Sequence, residues 1–273
     1  MRNLTSHNAE KGPAVDPVRF RGHRGGVIPM HRALAHFRLG PMNLLASVSL
    51  FILFSWIWVI LLPRLCRFWA SVLSIGLRYL PLYARLDTAE HQVGRLLLHV
   101  PYLRIEPVLP TLTVWSLTCG IVLLLFAVSF FFSRQWIPLV YLLRAVLLIQ
   151  ASALVYFALF PARFPHTPDS YMDALVSSGI GLISVVPLLF GFTYYIFDFG
   201  LWRKAGLTAL TMIHLSLFLP FQVLLQALVL QNTTLFMPLL YIVFGMPLDI
   251  MIIIALYSWG MTWSFRAPAR VTA

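Results

Sequence analysis

Six stretches of the chain are nearly free of charge and long enough to cross a bilayer, and the rest of the reading hangs on them. A hydrocarbon core of ~30 Å takes ~20 helical residues. Met42–Leu62, Leu109–Phe132, Ile137–Phe160, Ala174–Phe197, Leu207–Leu230 and Met237–Trp263 all reach that length. The connections 133–136, 198–206 and 231–236 are short, so the helices they join pack as antiparallel neighbours. The pattern predicts an all-α polytopic membrane helix bundle with six transmembrane helices over residues 41–265. Within an outer-face loop, 63–108, the apolar stretch Phe68–Tyr83 is interrupted by Arg78 and Pro81. It is too short to span, and an interfacial helix is predicted there.

Polar positions inside the spans carry the next inference. On a helical wheel, Thr211, His214, Gln222 and Gln226 of the fifth span fall within about 120° of one another. Arg144 lies inside the third span and Asp249 near the middle of the sixth. A charged side chain at the bilayer centre costs ~2.5–3.5 kcal/mol on insertion scales, so such groups turn inward and pair. The expected contact is Arg144 with Asp249, bridged by His214 or Gln222. Such a seam serves either as a proton or ion relay or as an ion pair that sets helix register.

A second pattern is one of small residues. Ser177, Gly181, Ser184 and Gly191 share a narrow arc of the fourth span, and Gly245 and Gly260 share a face with Asp249 in the sixth. Small residues let helix backbones approach closely in lipid, so these positions are read as helix-packing surfaces. Pro187, Pro220 and Pro247 lie inside the last three spans, where each removes a backbone donor and can open a kink.

Composition agrees with a membrane protein: 60% of residues are hydrophobic, 11% are charged, and the mean hydropathy is +0.84. Basic residues number 20 against 9 acidic ones. The excess sits in a tail and in loops, which points to anionic lipid headgroups and away from nucleic acid. Residues 1–40 are read as a basic cytoplasmic tail, partly disordered, with a basic amphipathic helix from Val27 to Leu39. Residues 266–273 form a cytoplasmic C-terminal tail. This orientation puts twelve Lys and Arg on the cytoplasmic side against seven outside, with both termini cytoplasmic. A seventh span within 68–83 would reverse everything downstream at nearly the same charge count. Only two of the basic residues are lysine, a bias that suits a GC-rich bacterium and hence its inner membrane.

Catalytic signatures are sparse. There is no HExxH, P-loop, dinucleotide fingerprint or GxSxG elbow, and neither a metal site nor a cofactor is predicted. Cys66 and Cys119 form no CxxC pair. The outer loop Pro161–Asp173 gathers Arg163, His166, Asp169, Tyr171 and Asp173, which could act as an acid–base or headgroup patch. The string TCGI around Cys119, an arginine some forty residues on and a later histidine loosely resemble the Cys–Arg–His order of exosortases. That resemblance would make Cys119 a nucleophile, Arg163 its oxyanion partner, and His166 or His214 the base. The Asn-x-x-Arg signature of that family is replaced by QASALVYF, and the chain is not assigned to it. The sequence therefore points to a non-catalytic accessory or assembly subunit of a membrane complex, with a membrane protein partner or a homo-oligomer. A small transporter or proton-coupled channel built on the polar seam, and a membrane enzyme acting on a lipid-linked substrate, are the alternatives.

Overall fold

The computed structural model describes residues 41–93, 96–161, 164–196 and 200–261. The basic tail 1–40, the C-terminal tail 266–273 and Arg163 lie outside the described residues. The elements are α1 (Pro41–Tyr79), the strands β1 (Ala84–Val93) and β2 (Leu96–Ile105), α2 (Leu112–Val128), α3 (Ile137–Leu159), α4 (Pro168–Ile196), α5 (Leu201–Leu230), α6 (Met237–Phe244) and α7 (Met246–Met261). Among the described residues, five helical segments are long and apolar enough to cross a membrane: α1, α3, α4, α5 and the α6–α7 pair. The chain is a multi-pass, mostly helical membrane protein. The helix α2, at 17 residues, is shorter than the other candidates.

Two expectations change. The stretch from Phe68 is not a separate interfacial helix, because α1 runs unbroken for 39 residues through Pro63 to Tyr79. Trp58, Leu62, Cys66, Trp69, Leu73 and Gly76 form one buried stripe at helical spacing along it. Burial of that stripe against α4 and α5 outweighs the one backbone bond that Pro63 removes. The remainder of the outer loop is an antiparallel hairpin, with register from Ala84↔Ile105 to Val93↔Leu96. Its inner strand β2 buries Leu98, Val100, Leu103 and Ile105 beneath the helices, while His99 and Arg104 stay exposed.

The helix α4 lies at the centre of the main core, against α1, α5, α7 and β2. A reciprocal clamp closes α4 onto α5. The ammonium of Lys204, only 1% exposed, donates to the Tyr194 carbonyl at 3.0 Å. In return the Tyr194 hydroxyl donates to the Lys204 carbonyl at 3.1 Å. A smaller core, from Val122, Leu147, Leu154, Phe157 and Leu235, joins α2 and α3 to the turn before α6.

Proline placement explains one long-range contact. Pro220 has no N–H, so the Ser216 carbonyl one turn earlier loses its helical donor. The Trp69 indole Nε1 supplies the replacement, donating to that carbonyl at 2.8 Å from α1. Trp69→Phe keeps most of the ring and leaves the carbonyl unpaired, which is expected to cost about 1–3 kcal/mol. In a Pro220→Ala background, where residue 220 regains its donor, the cost of Trp69→Phe should largely disappear. Unfolding of the four proteins in detergent checks this, and equal costs in both backgrounds would refute it.

Candidate functional site

The polar groups of the membrane helices do meet partners, but not the expected ones. The chain breaks between α6 and α7 at Gly245, where the Leu248 N–H bonds the Gly245 carbonyl at 3.1 Å. That tighter turn releases the Phe244 carbonyl from the helix ladder. Two amides from α5 converge on it: Gln226 Nε2 donates at 2.7 Å, and Gln222 Nε2 donates as well. The Gln226 carbonyl oxygen in turn accepts from the Tyr171 hydroxyl of α4. Gln222 and Gln226 therefore bind the broken sixth span to its neighbours. Thr211 spends its hydroxyl on the Leu207 carbonyl of its own helix, at 2.9 Å.

Arg144 and Asp249 do not pair. The Arg144 guanidinium reaches back to the end of α2, donating to Ser129 Oγ at 3.0 Å and to the Ser129 carbonyl at 3.4 Å. It also lies over the Phe130 ring, 4.4 Å from the centroid. A cation there complements the partial negative charge of the α2 C-terminus, which is why the local partner wins over a distant carboxylate. Asp249, 5% exposed in the first turn of α7, faces Gly179, Leu182, Ile183, Leu215 and Leu219. Among the described residues it makes no ion pair. His214 is exposed at the margin of the polar arc on α5, its ring stacked on Phe218 at 6.0 Å, and among the described residues it bridges neither Arg144 nor Asp249. The buried part of that arc is the side of Thr211, Gln222 and Gln226.

The small residues divide into two groups. Gly191 packs on Ser47 and Phe51 of α1, and Gly260 sits against Leu207 of α5. Gly245 marks the α6–α7 break. Ser177, Gly181 and Ser184 instead line a cleft between α1, α4 and the hairpin, together with Trp58, His91 and Val100. A side chain added at Gly181 would meet open space. Within the cleft the Trp58 indole donates to Ser184 Oγ at 2.8 Å.

At one end of this cleft the hairpin is latched to α4. His91 Nε2 lies 2.8 Å from Asp173 Oδ1 and 3.1 Å from Ser177 Oγ. Below it, Asp169 in the first turn of α4 accepts from the Ile105 N–H at 2.8 Å and pairs with Arg104 Nε at 3.4 Å. Burial, then the Asp87 and Asp169 carboxylates, push the Tyr102 phenol above its usual range. The residue types of His91, Asp173 and Ser177 match a nucleophile–base–acid set, yet both partners crowd one ring nitrogen. A catalytic histidine needs its two nitrogens divided between nucleophile and carboxylate. The set is thus a latch between the strand and the helix. His91 lies on β1, inside the segment expected to be loop, and the signal for the hairpin is the alternation of Leu98, His99 and Val100 on β2.

The remaining members of the outer patch scatter. Tyr171 is turned into the core, and His166 stands edge-on to Phe164 at 6.0 Å beside a second cavity of about 390 Å3. Cys119 packs in the smaller core on α2 among hydrophobic side chains. Among the described residues no group of three His, Cys, Asp or Glu side chains could hold a metal ion.

With no shared partner, Arg144→Gln and Asp249→Asn should act additively on stability, within about 0.5 kcal/mol. Unfolding of the single and double variants measures this, and a larger coupling would restore the ion-pair reading. Comparison with protein-family models, with curated proteins and with solved structures finds no match for this chain.

Proposed function

We propose that this chain is a non-catalytic subunit or assembly factor of a membrane complex in the bacterial inner membrane. The observation that carries this reading is where the intramembrane polar side chains go. Gln222 and Gln226 bond a freed backbone carbonyl, Thr211 bonds its own helix, and Arg144 closes the end of α2. Groups committed to backbone carbonyls stiffen a scaffold and are not at liberty to relay a proton. The smaller unit supports a partner. In α2 only Thr118 and Val122 are buried, and Leu117, Leu123 and Leu124 are each more than 60% exposed. At 17 residues this helix covers about 26 Å, less than the hydrocarbon thickness. A short, thinly packed helix gains contact by packing on another membrane protein or a second copy.

In this reading both termini lie in the cytoplasm and the basic tail rests on anionic headgroups. Handling of envelope polysaccharide or lipid by the complex is the process it best suits. One observation favours proton-coupled transport as a second reading: Asp249 is a buried carboxyl with no ion-pair partner among the described residues.

Purification in mild detergent from the native membrane should retain a membrane protein or a second copy in fixed stoichiometry, and a single cysteine at Leu124 should crosslink to it. A monodisperse monomer with no such crosslink would count against the subunit reading. Asp249→Asn separates the two readings, since a scaffold keeps its abundance and its partner, whereas a proton-coupled carrier keeps its abundance and loses flux.

A further inference from the structure

We infer that the cleft between α1, α4 and the hairpin is a binding site for one acyl chain of a membrane phospholipid, held at its glycerol end by Ser177 and His91. This goes beyond the subunit reading and does not depend on it. The cavity measures about 490 Å3, within the ~300–1,000 Å3 range of small-molecule sites. Most of its wall is apolar: Val59 and Leu62 from α1, Leu98 and Val100 from β2, Ile180 from α4. Ile52 on α1 continues the Ser55–Val59 side, and Leu188 on α4 continues the Gly181–Ser184 side; both are exposed. The cleft thus adjoins exposed apolar residues on both α1 and α4.

Its titratable lining residue, His91, stands at the hairpin beside Ser177, while Ser184 further along is occupied by the Trp58 indole. A carboxylate only accepts hydrogen bonds, so the proton on His91 Nε2 points at Asp173, 2.8 Å away. Ser177 Oγ, 3.1 Å from the same nitrogen, shares that proton as an acceptor, which leaves its own hydroxyl hydrogen to donate. The His91 and Asp173 side chains are about one-third exposed, at 35% and 32%, so a ligand can reach them. A mostly apolar cleft with a hydroxyl and an imidazole at the hairpin has the polarity of an acyl chain ending in ester and glycerol oxygens. The Asp173 carboxylate at that end disfavours a bare anion, which leaves neutral ester and glycerol oxygens as the groups that suit Ser177 and His91. Gly181 matters because its missing side chain is the open floor of the cleft.

The test uses the full chain in vesicles of phosphatidylethanolamine and phosphatidylglycerol, with a trace of phosphatidylglycerol bearing a diazirine at its acyl terminus. After irradiation, labelled residues are mapped by mass spectrometry. Labelling on Ser55, Val59 and Gly181 is expected about tenfold above that on the exposed α2 residues Leu117 and Leu123, the ratio given by a preference of about 1.4 kcal/mol. Gly181→Phe fills open space and should bring cleft labelling down to the α2 level with thermal unfolding unchanged. Val59→Trp fills the opposite wall and serves where the first variant fails to fold. Ser177→Ala should lower the labelling and Ser178→Ala should not; equal labelling in these two would remove the headgroup contact. Cleft labelling no greater than that of α2, or unchanged by a folded cleft-filling variant, would overturn the site. A cleft already occupied by residues 1–40 or by a second copy would also go unlabelled and overturn it.

Discussion

A backbone carbonyl released from its helix inside a bilayer has no water to turn to, and two such carbonyls organise this molecule. Pro220 releases the first, at Ser216, and the α6–α7 break releases the second, at Phe244. Each is claimed by side chains from a different helix: an indole from α1 in one case, two amides from α5 in the other. Helix irregularities that would each be a liability alone become the points where the bundle is joined. Because a side-chain donor must sit within about 3 Å of its acceptor, these bonds specify helix position more tightly than apolar packing does.

The same economy governs the charged residues. Arg144 closes a helix end, Lys204 clamps α4 to α5, and Asp169 and Asp173 tie down the hairpin. In hydrocarbon, a local backbone or hydroxyl partner needs no long-range convergence, and Arg144 takes that route with Ser129. Asp249 differs from these, its nearest surroundings being glycine and aliphatic side chains. The hairpin contributes a different kind of surface, since β2 roofs a cleft whose other walls are membrane helices.

Much of the architecture was legible because hydrophobic length is a strong signal. The third span begins and ends with its apolar run; the fourth and fifth end with theirs but begin about six residues earlier, at Pro168 and Leu201. The errors have physical sources. Phe68–Tyr83 reads as a separate interfacial helix because it is short and interrupted by Arg78 and Pro81, while the decisive stripe of Trp69, Leu73 and Gly76 is visible only when α5 is beside it. The hairpin was missed because Pro101, which demotes a strand when read alone, pairs opposite Thr88 without breaking register. At the candidate site, Ser177, Gly181 and Ser184 were found as a surface. Whether such a face packs or lines a space depends on how far the neighbouring helix stands off, which no periodicity encodes. Wheel geometry likewise placed Gln222 and Gln226 inward, but an arc centred on His214 extended onto lipid-facing ground.

The Trp69–Ser216 bond has a consequence for how the protein is made. Its two halves lie 147 positions apart, so the indole is synthesised long before the carbonyl it will serve. Until the fifth helix settles beside the first, that helix carries an unmet acceptor in oil. Release of α5 from the insertion machinery into free lipid is therefore disfavoured, and its favourable exit is onto a nascent chain already waiting in the membrane. Assembly order is written into a single proline.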